Sequence, residues 1–145
     1  MSDGRAAPEE FLERIRAEKA IEQKYERGKL KIFLGYVAGT GKTYAMLEMA
    51  HVLKKEGIDV AGYIEPHDRP DTVKMMEGIE QLPFQMVEYK GHKFREFDLD
   101  AALLRKPKVI LVDELAHTNV PGCRHEKRYQ DIEELLDHGI NVYTT

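Results

Sequence analysis

Cysteine is almost absent from the sequence, and tryptophan is missing altogether. Cys123 is the only cysteine among the 145 residues, so an intramolecular disulfide is impossible and a cysteine-based zinc site is disfavoured. A zinc site built on the six histidines fails on spacing, because no two of them stand four residues apart on a predicted helix near a third ligand. These absences indicate a protein of the reducing cytosol.

A strong charge of one sign and a long hydrophobic run are also lacking. The formal net charge of -4 provides no broad attraction to nucleic acid or anionic lipid, so any phosphate recognition must be local. No apolar run approaches the roughly 20 residues that span a bilayer, and the charged N-terminus lacks the apolar segment of a signal peptide. We therefore expect a soluble fragment of one compact domain, without a nucleic-acid partner or direct membrane contact.

Two kinds of segment alternate along the chain. Residues 9–26 are charged, with apolar residues at helical spacing, and predict a helix ended by Gly28. The strand-like runs that follow are "LKIFLG", "DVAGYIE", "FQMVEY", "KVILVDE" and "INVYTT". The helix-like segments between them are "GKTYAMLEMAHVLKKEG", "RPDTVKMMEGIEQ", "DLDAALLRK" and "HEKRYQDIEELLDHG". This alternation predicts a three-layer α/β domain with a mostly parallel sheet.

The glycine-rich stretch "GYVAGTGKT", residues 35–43, joins the first predicted strand to a strong predicted helix. Glycines let the backbone approach a phosphate closely, and the helix N-terminus adds partial positive charge. Lys42 is expected to reach the β- and γ-phosphates, and Thr43 to offer its hydroxyl to Mg²⁺. The predicted nucleotide-binding residues of this loop are Gly39, Thr40, Gly41, Lys42 and Thr43.

The loop departs from the phosphate-loop pattern G-x-x-x-x-G-K-[ST] at one position. Tyr36 stands where the pattern has its first glycine, and Gly35 is one residue early. The "GTGKT" core is intact, and it supplies most of the predicted phosphate contacts. The alternative is an ordinary glycine-rich turn between a strand and a helix.

An acidic pair follows the aliphatic run "VILV" of a predicted buried strand. Open α/β sheets bind ligands at the carboxyl ends of their strands, which is where Asp113 and Glu114 are placed. Asp113 is expected to orient Mg²⁺ or its waters opposite Thr43, and Glu114 is the candidate general base for an attacking water. The alternative is that both acids only cap the following turn. With the glycine-rich loop, this pair predicts a P-loop NTPase-like domain over residues 28–145, preceded by an N-terminal tail and helix over residues 1–27.

Two less specific clusters lie on the same predicted edge. "YIEPHDRP" brings Glu65, His67 and Arg69 to the end of the second strand, where they are candidates to contact a base, a ribose or a partner. The loop of residues 117–127 and the following Arg128 are rich in polar and cationic groups, of which Arg124 and Arg128 are candidates to pair with a γ-phosphate. Because little apolar burial is expected there, this loop is predicted to be mobile without nucleotide. A solvated loop is the alternative for each of its residues.

Residues 28–145, above all the portion from "DELAHTN" to "NVYTT", resemble the N-terminal cytoplasmic domain of the osmosensitive potassium-channel sensor histidine kinases of the Kdp system. The resemblance implies ATP binding through Gly39, Gly41, Lys42, Thr43 and Asp113. Family members commonly have a small residue where Tyr36 stands. The resemblance also implies a longer parent in the cell membrane, whose kinase core phosphorylates a response regulator that controls potassium-uptake genes.

Two functions of different class are open for the fragment. The first is a regulatory module that binds ATP and Mg²⁺ and influences the other domains of the parent kinase. The second is an enzyme, either a slow ATPase that uses Glu114 or a small-molecule phosphotransferase. The resemblance favours the first, and no arginine is identifiable from the sequence as a catalytic finger.

Overall fold

A computed structural model describes residues 8–24, 26–34, 41–65 and 69–145 of the chain. Five helices and seven strands are described, and the first helix is the predicted N-terminal one. The helices are α1 (Pro8–Lys24), α2 (Lys42–Lys55), α3 (Pro70–Met76), α4 (Leu99–Arg105) and α5 (Arg128–Asp137). The strands are β1 (Leu30–Ile32), β2 (Val60–Tyr63), β3 (Glu80–Gln81), β4 (Phe84–Tyr89), β5 (His92–Phe97), β6 (Val109–Val112) and β7 (Asn141–Thr144).

Five of the strands form one parallel sheet in the order β1-β7-β6-β2-β3. All four residues of β6 are apolar and buried, as expected for a central strand that is covered on both faces. Because the strands are parallel, the residues that follow β1, β2, β6 and β7 all emerge at the same edge of the sheet. The acidic pair after β6 therefore lies on the same edge as the end of β1, from which the chain runs toward α2.

Two hydrophobic cores cover the two faces of this sheet. On one face, Met46, Leu47 and Ala50 of α2 pack with Val109 and Leu111 of the sheet. On the other, the alternate strand residues Ile110, Val112 and Val142 pack with apolar residues of α4 and α5. The sheet therefore has helices on both faces, which confirms the predicted α/β class with a mostly parallel sheet. Asp98 begins α4 by accepting a hydrogen bond from the Ala101 amide at 3.1 Å, as N-terminal caps do.

The region between residues 69 and 97 differs from the predicted arrangement in two ways. The segment 69–81 was expected to be helical, but α3 ends at Met76, and Gly78, with φ of 84°, turns the chain into β3. The run "FQMVEY" is a strand as predicted, but it pairs antiparallel with β5 instead of joining the parallel sheet. The turn of this hairpin is Lys90 and Gly91, both of which have positive φ, as a two-residue hairpin turn requires.

The N-terminal helix α1 carries apolar side chains that remain largely open to solvent. Phe11 is 55% and Leu12 is 51% exposed. No helix in the described part of the chain is long and apolar enough to cross a membrane.

Candidate functional site

The start of α2 has the properties of an anion-binding helix N-terminus. Gly41 precedes the helix with φ of 78°, a conformation that glycine adopts without a steric penalty. Among the described residues no side chain caps this end, and no acidic residue lies in its first turn, so its amide groups and partial positive charge are available to a ligand. Lys42 and Thr43 occupy the first turn, as predicted. The predicted contacts of Gly39 and Thr40, and the departure at Tyr36, lie outside the described residues.

A direct hydrogen bond joins the two halves of the predicted site. The Thr43 hydroxyl donates to Asp113 Oδ1 at 3.2 Å, although the two residues are 70 positions apart in the sequence. Thr43 is held by α2, whose buried residues fix the helix against the sheet, and Asp113 is held by the end of β6. The structure therefore brings together the hydroxyl and the carboxylate that the sequence assigned to one metal.

The Asp113 carboxylate is almost completely buried, with 1% exposure. Besides Thr43, its donors are the Glu65 amide at 3.2 Å and the Thr145 hydroxyl at 3.2 Å. Burial raises the pKa of Asp113 above its ordinary value, because desolvation disfavours the charged form more than these hydrogen bonds favour it. A cation bound near this carboxylate would favour its charged form again. The environment of Asp113 therefore suits a carboxylate that binds a cation.

Glu114 turns away from the strand in an unusual backbone conformation. Its φ is 61°, in the left-handed region that non-glycine residues seldom adopt, and its amide donates to the Thr145 hydroxyl at 3.1 Å. The sharp turn leaves its side chain 43% exposed at the carboxyl edge, with Oε2 4.0 Å from Nδ1 of His117. Residues in such strained backbone conformations are often found at functional positions.

A buried arginine, one of the cationic residues that follow Glu114 in the sequence, holds the backbone at the start of the acidic pair. Arg128 is 2% exposed, and its Nη1 donates to the Asp113 backbone carbonyl at 2.9 Å. Its Nη2 lies 3.6 Å from the Glu96 carboxylate, and its guanidinium lies 5.3 Å from the centre of the Tyr63 ring. The sequence made Arg128 a candidate to pair with a γ-phosphate. In the structure Arg128 is buried and its hydrogen bond to Asp113 stabilises the end of β6. Glu96 was not identified from the sequence, because nothing in "HKFREF" marks it as buried.

The loop of residues 117–127 is held by many polar contacts, and its mobility without nucleotide stays a prediction. The buried Asn119 side chain donates to the His125 carbonyl and to Asp131 Oδ2, each at 2.9 Å. Arg124 pairs with Asp100 at 2.8 Å and with Glu134 at 2.9 Å. The expectation of weak anchoring considered apolar burial alone. Arg124 and Arg128 both have ion-pair partners, which weakens both as candidates for a γ-phosphate contact.

The segment after β2 contributes to the site mainly through one residue. The Glu65 amide holds Asp113, as described above, and the Glu65 side chain accepts a hydrogen bond from the Tyr63 hydroxyl at 2.8 Å. Arg69 is exposed just before α3, and His67 lies outside the described residues. Of this cluster, the structure brings Glu65 into contact with the predicted metal-binding carboxylate.

Together, the fold and the site define an α/β domain with a Gly-Lys-Thr helix start and an acidic pair on one edge of a parallel sheet. A family model described as the KdpD osmosensitive K⁺ channel His kinase sensor domain matches residues 26–145. The chain belongs to this family of sensor domains, which confirms the resemblance seen in the sequence.

Similar proteins of known name are sensor proteins of bacteria. The chain is 61% identical to the sensor protein KdpD of Clostridium acetobutylicum over 125 residues, which cover 86% of this chain and 14% of that protein. It is 58% identical to the sensor protein KdpD of Escherichia coli over 120 residues, covering 82% of this chain and 13% of the relative. For the sensor protein KdpD of Mycobacterium tuberculosis the identity is 53% over 121 residues, with 83% and 14% covered. The matched region is thus a small part of these relatives.

Proposed function

We propose that this chain is a regulatory nucleotide-binding domain with a P-loop NTPase-like fold, which binds ATP with Mg²⁺ through Lys42, Thr43 and Asp113. The hydrogen bond of 3.2 Å between Thr43 and Asp113 carries the proposal. A hydroxyl at the start of a helix and a carboxylate at the end of a buried strand are the pair that P-loop NTPases use at Mg²⁺. An ordinary strand-to-helix turn gives no reason for these two groups to meet.

The arrangement of the strands supports the same proposal. The chain leaves β1 through the glycine-rich segment and enters α2, while the acidic pair leaves β6 on the same edge of the sheet. Strand, glycine-rich loop with Gly-Lys-Thr, and helix follow one another in the order of a phosphate-binding loop. The N-terminus of α2, which no side chain of the described residues caps, supplies the amide groups that such a loop directs at phosphate.

The residues present fit a magnesium ion that is shared with a nucleotide. Within residues 8–24, 26–34, 41–65 and 69–145, no group of three or more His, Cys, Asp or Glu side chains could hold a metal ion. A cation bound by Thr43 and Asp113 therefore needs oxygen ligands from phosphate and water, which is the usual coordination of Mg²⁺. The ion would neutralise charge on the phosphates and on the buried Asp113 carboxylate.

The regulatory role rests on the family and on the names of the relatives. The family model describes a His kinase sensor domain, and the named relatives are sensor proteins of which the matched region is 13–14%. We propose that the whole protein is a membrane sensor histidine kinase for potassium and osmotic signals, which acts on a response regulator. This domain would lie on the cytoplasmic side and report nucleotide occupancy to the other domains of the parent.

Slow ATP hydrolysis is the second candidate function, and the position of Glu114 favours it. Its side chain is partly exposed at the predicted phosphate edge and close to His117, where a general base for water would be needed. Phosphoryl transfer to a small molecule uses the same residues but requires an acceptor pocket.

Calorimetric titration of the chain with ATP and Mg²⁺ tests the binding proposal, and steady-state hydrolysis tests the second candidate. We expect saturable binding of MgATP by the unmodified chain. Turnover that is lost in Glu114→Gln would establish the enzyme, whereas binding without turnover would leave the regulatory module alone. An absence of binding to ATP, both with and without Mg²⁺, would refute the nucleotide site.

Replacing Asp113 by asparagine is expected to weaken ATP binding mainly when Mg²⁺ is present. The carboxylate is assigned to the metal or its waters, so ATP binding in excess chelator should change by less than about twofold, whereas MgATP binding should fall by about tenfold or more. Titrations of both proteins in each condition provide the comparison, with circular dichroism as the check on folding. An equal loss in both conditions would assign Asp113 a structural role at the end of β6 instead.

A further inference from the structure

His117 is held in place by a buried acid of the hairpin formed by β4 and β5. Glu96 of β5 is 2% exposed, and both of its carboxylate oxygens lie 3.0 Å from Nε2 of His117. Phe97, the next residue, is buried in the core and packs on the Tyr63 ring with a centroid distance of 5.5 Å. The position of Glu96 is therefore fixed by the packing of the hairpin base.

This contact determines which nitrogen of His117 carries a proton. An ionised carboxylate only accepts hydrogen bonds, so Nε2 must be the donor. In the neutral imidazole the other nitrogen, Nδ1, is then an acceptor. Arg128 Nη2 lies 3.6 Å from Glu96 Oε2, so the same carboxylate also has a cationic neighbour.

The acceptor nitrogen of His117 lies beside a second acceptor. Nδ1 is 4.0 Å from Glu114 Oε2, which is too far for a direct hydrogen bond but a suitable span for one water molecule between them. A water has two protons, and two neighbouring acceptors can bind both of them. Its lone pairs then face away from His117 and Glu114.

We propose that Glu96 is a positioning residue that fixes His117 as the Nε2-protonated tautomer, so that His117 Nδ1 and Glu114 together hold the water that attacks the γ-phosphate of bound ATP. The inference rests on the proposed nucleotide site and chooses hydrolysis as the fate of its ligand. The oxygen of the water bonds to the γ-phosphorus, the bond from that phosphorus to the β,γ-bridging oxygen breaks, and ADP leaves with the electron pair. Glu114 takes the proton that the water loses, and inorganic phosphate is the second product.

Slow hydrolysis of this kind would limit the lifetime of the ATP-bound state. A regulatory domain that only bound ATP would change state when the nucleotide dissociated, whereas one that hydrolyses it returns to the ADP state at its own rate. The hairpin carries Glu96, so a movement of the hairpin would change this rate without a change at the phosphate-binding residues.

Nitrogen-15 NMR of the imidazole tests the positioning step without nucleotide. In the pH range where the imidazole is neutral, we expect His117 Nε2 to be protonated and Nδ1 to be unprotonated in the unmodified chain. In Glu96→Gln we expect both tautomers to be present. Protonation of Nδ1 instead of Nε2 in the unmodified chain would overturn the proposal. This measurement gives the tautomer even if the chain binds no ATP. A lack of ATP binding would refute the proposed nucleotide site and leave the tautomer result unchanged.

Single-turnover hydrolysis and ATP affinity test the catalytic consequence. Glu96→Gln should keep the ATP affinity within about twofold and slow hydrolysis by roughly 10- to 100-fold, the range that a misplaced catalytic group produces. His117→Gln is the second variant, because its amide nitrogen keeps the contact with Glu96 while the Nδ1 acceptor is lost; its hydrolysis should fall as far. Unchanged hydrolysis in either folded variant, or ATP binding without any hydrolysis by the unmodified chain, would overturn the water site and leave the binding module intact.

Discussion

Replacing Lys42 by alanine is expected to abolish measurable ATP binding while leaving the fold unchanged. Lys42 begins α2 and belongs to neither hydrophobic core, so its removal leaves no cavity among the packed side chains. A hydrogen bond between an ammonium group and phosphate is charge-assisted and stronger than a neutral one. We therefore expect an affinity loss of at least about 100-fold, which corresponds to roughly 2.8 kcal/mol. Calorimetry measures the affinity, and thermal unfolding measures the stability.

Lys55→Ala is the matched control for this change. Lys55 is the last residue of the same helix and is exposed at the end away from Gly41, so its loss should leave ATP affinity within about twofold. A net effect of positive charge on the binding of ATP would weaken both variants alike. Unfolding of Lys42→Ala, or binding as tight as that of the unmodified chain, would contradict the role assigned to Lys42.

Replacing Arg128 by alanine is expected to cause the largest loss of stability. The change would leave the Glu96 carboxylate buried without its neighbouring positive charge and the Asp113 carbonyl without its donor. Breaking a buried ion pair from one side costs about 3–5 kcal/mol, a large part of the roughly 5–15 kcal/mol that stabilises a typical domain. Urea unfolding monitored by circular dichroism should show the transition at a much lower urea concentration, or an unfolded chain.

Arg124→Ala separates the effect of burial from the effect of charge. Arg124 also forms ion pairs, but its side chain is 51% exposed, so solvent screens them and the expected loss is below about 1 kcal/mol. The double variant Arg128→Ala/Glu96→Gln should lose less free energy of unfolding than the sum of the losses in the two single variants, because the buried charge is then removed together with its partner. A loss in Arg128→Ala no greater than in Arg124→Ala would show that Arg128 contributes little to stability.

The parts of the site that follow from local sequence could be predicted, because they depend on short-range rules. A Gly-Lys-Thr segment before a helix and an acidic pair after an aliphatic strand place Thr43 and Asp113 on one sheet edge. The structure confirms that placement with a hydrogen bond between them. Nucleotide binding itself stays a prediction, as does the domain boundary at Gly28.

The supporting residues could not be predicted, since their positions depend on tertiary packing. Glu96 is an ordinary acid in an alternating strand, and only the docking of the hairpin makes it buried. Arg128 was included among possible phosphate contacts because charge in a loop suggests solvent, whereas it is 2% exposed. The hairpin turn at Lys90 and Gly91 did have a local signal, a glycine between two runs rich in aromatic and β-forming residues, which was not used.

The Asp113 carboxylate accepts hydrogen bonds from three separate segments of the chain. Its donors are Glu65, two residues after β2, Thr145, the residue after β7, and Thr43 in the first turn of α2. A ligand that moves this carboxylate therefore acts on three segments at once, because each of them is joined to it by a hydrogen bond. Under the proposed function, nucleotide binding would therefore change the positions of three segments along the sheet edge through the hydrogen bonds of one carboxylate, without a large hinge movement.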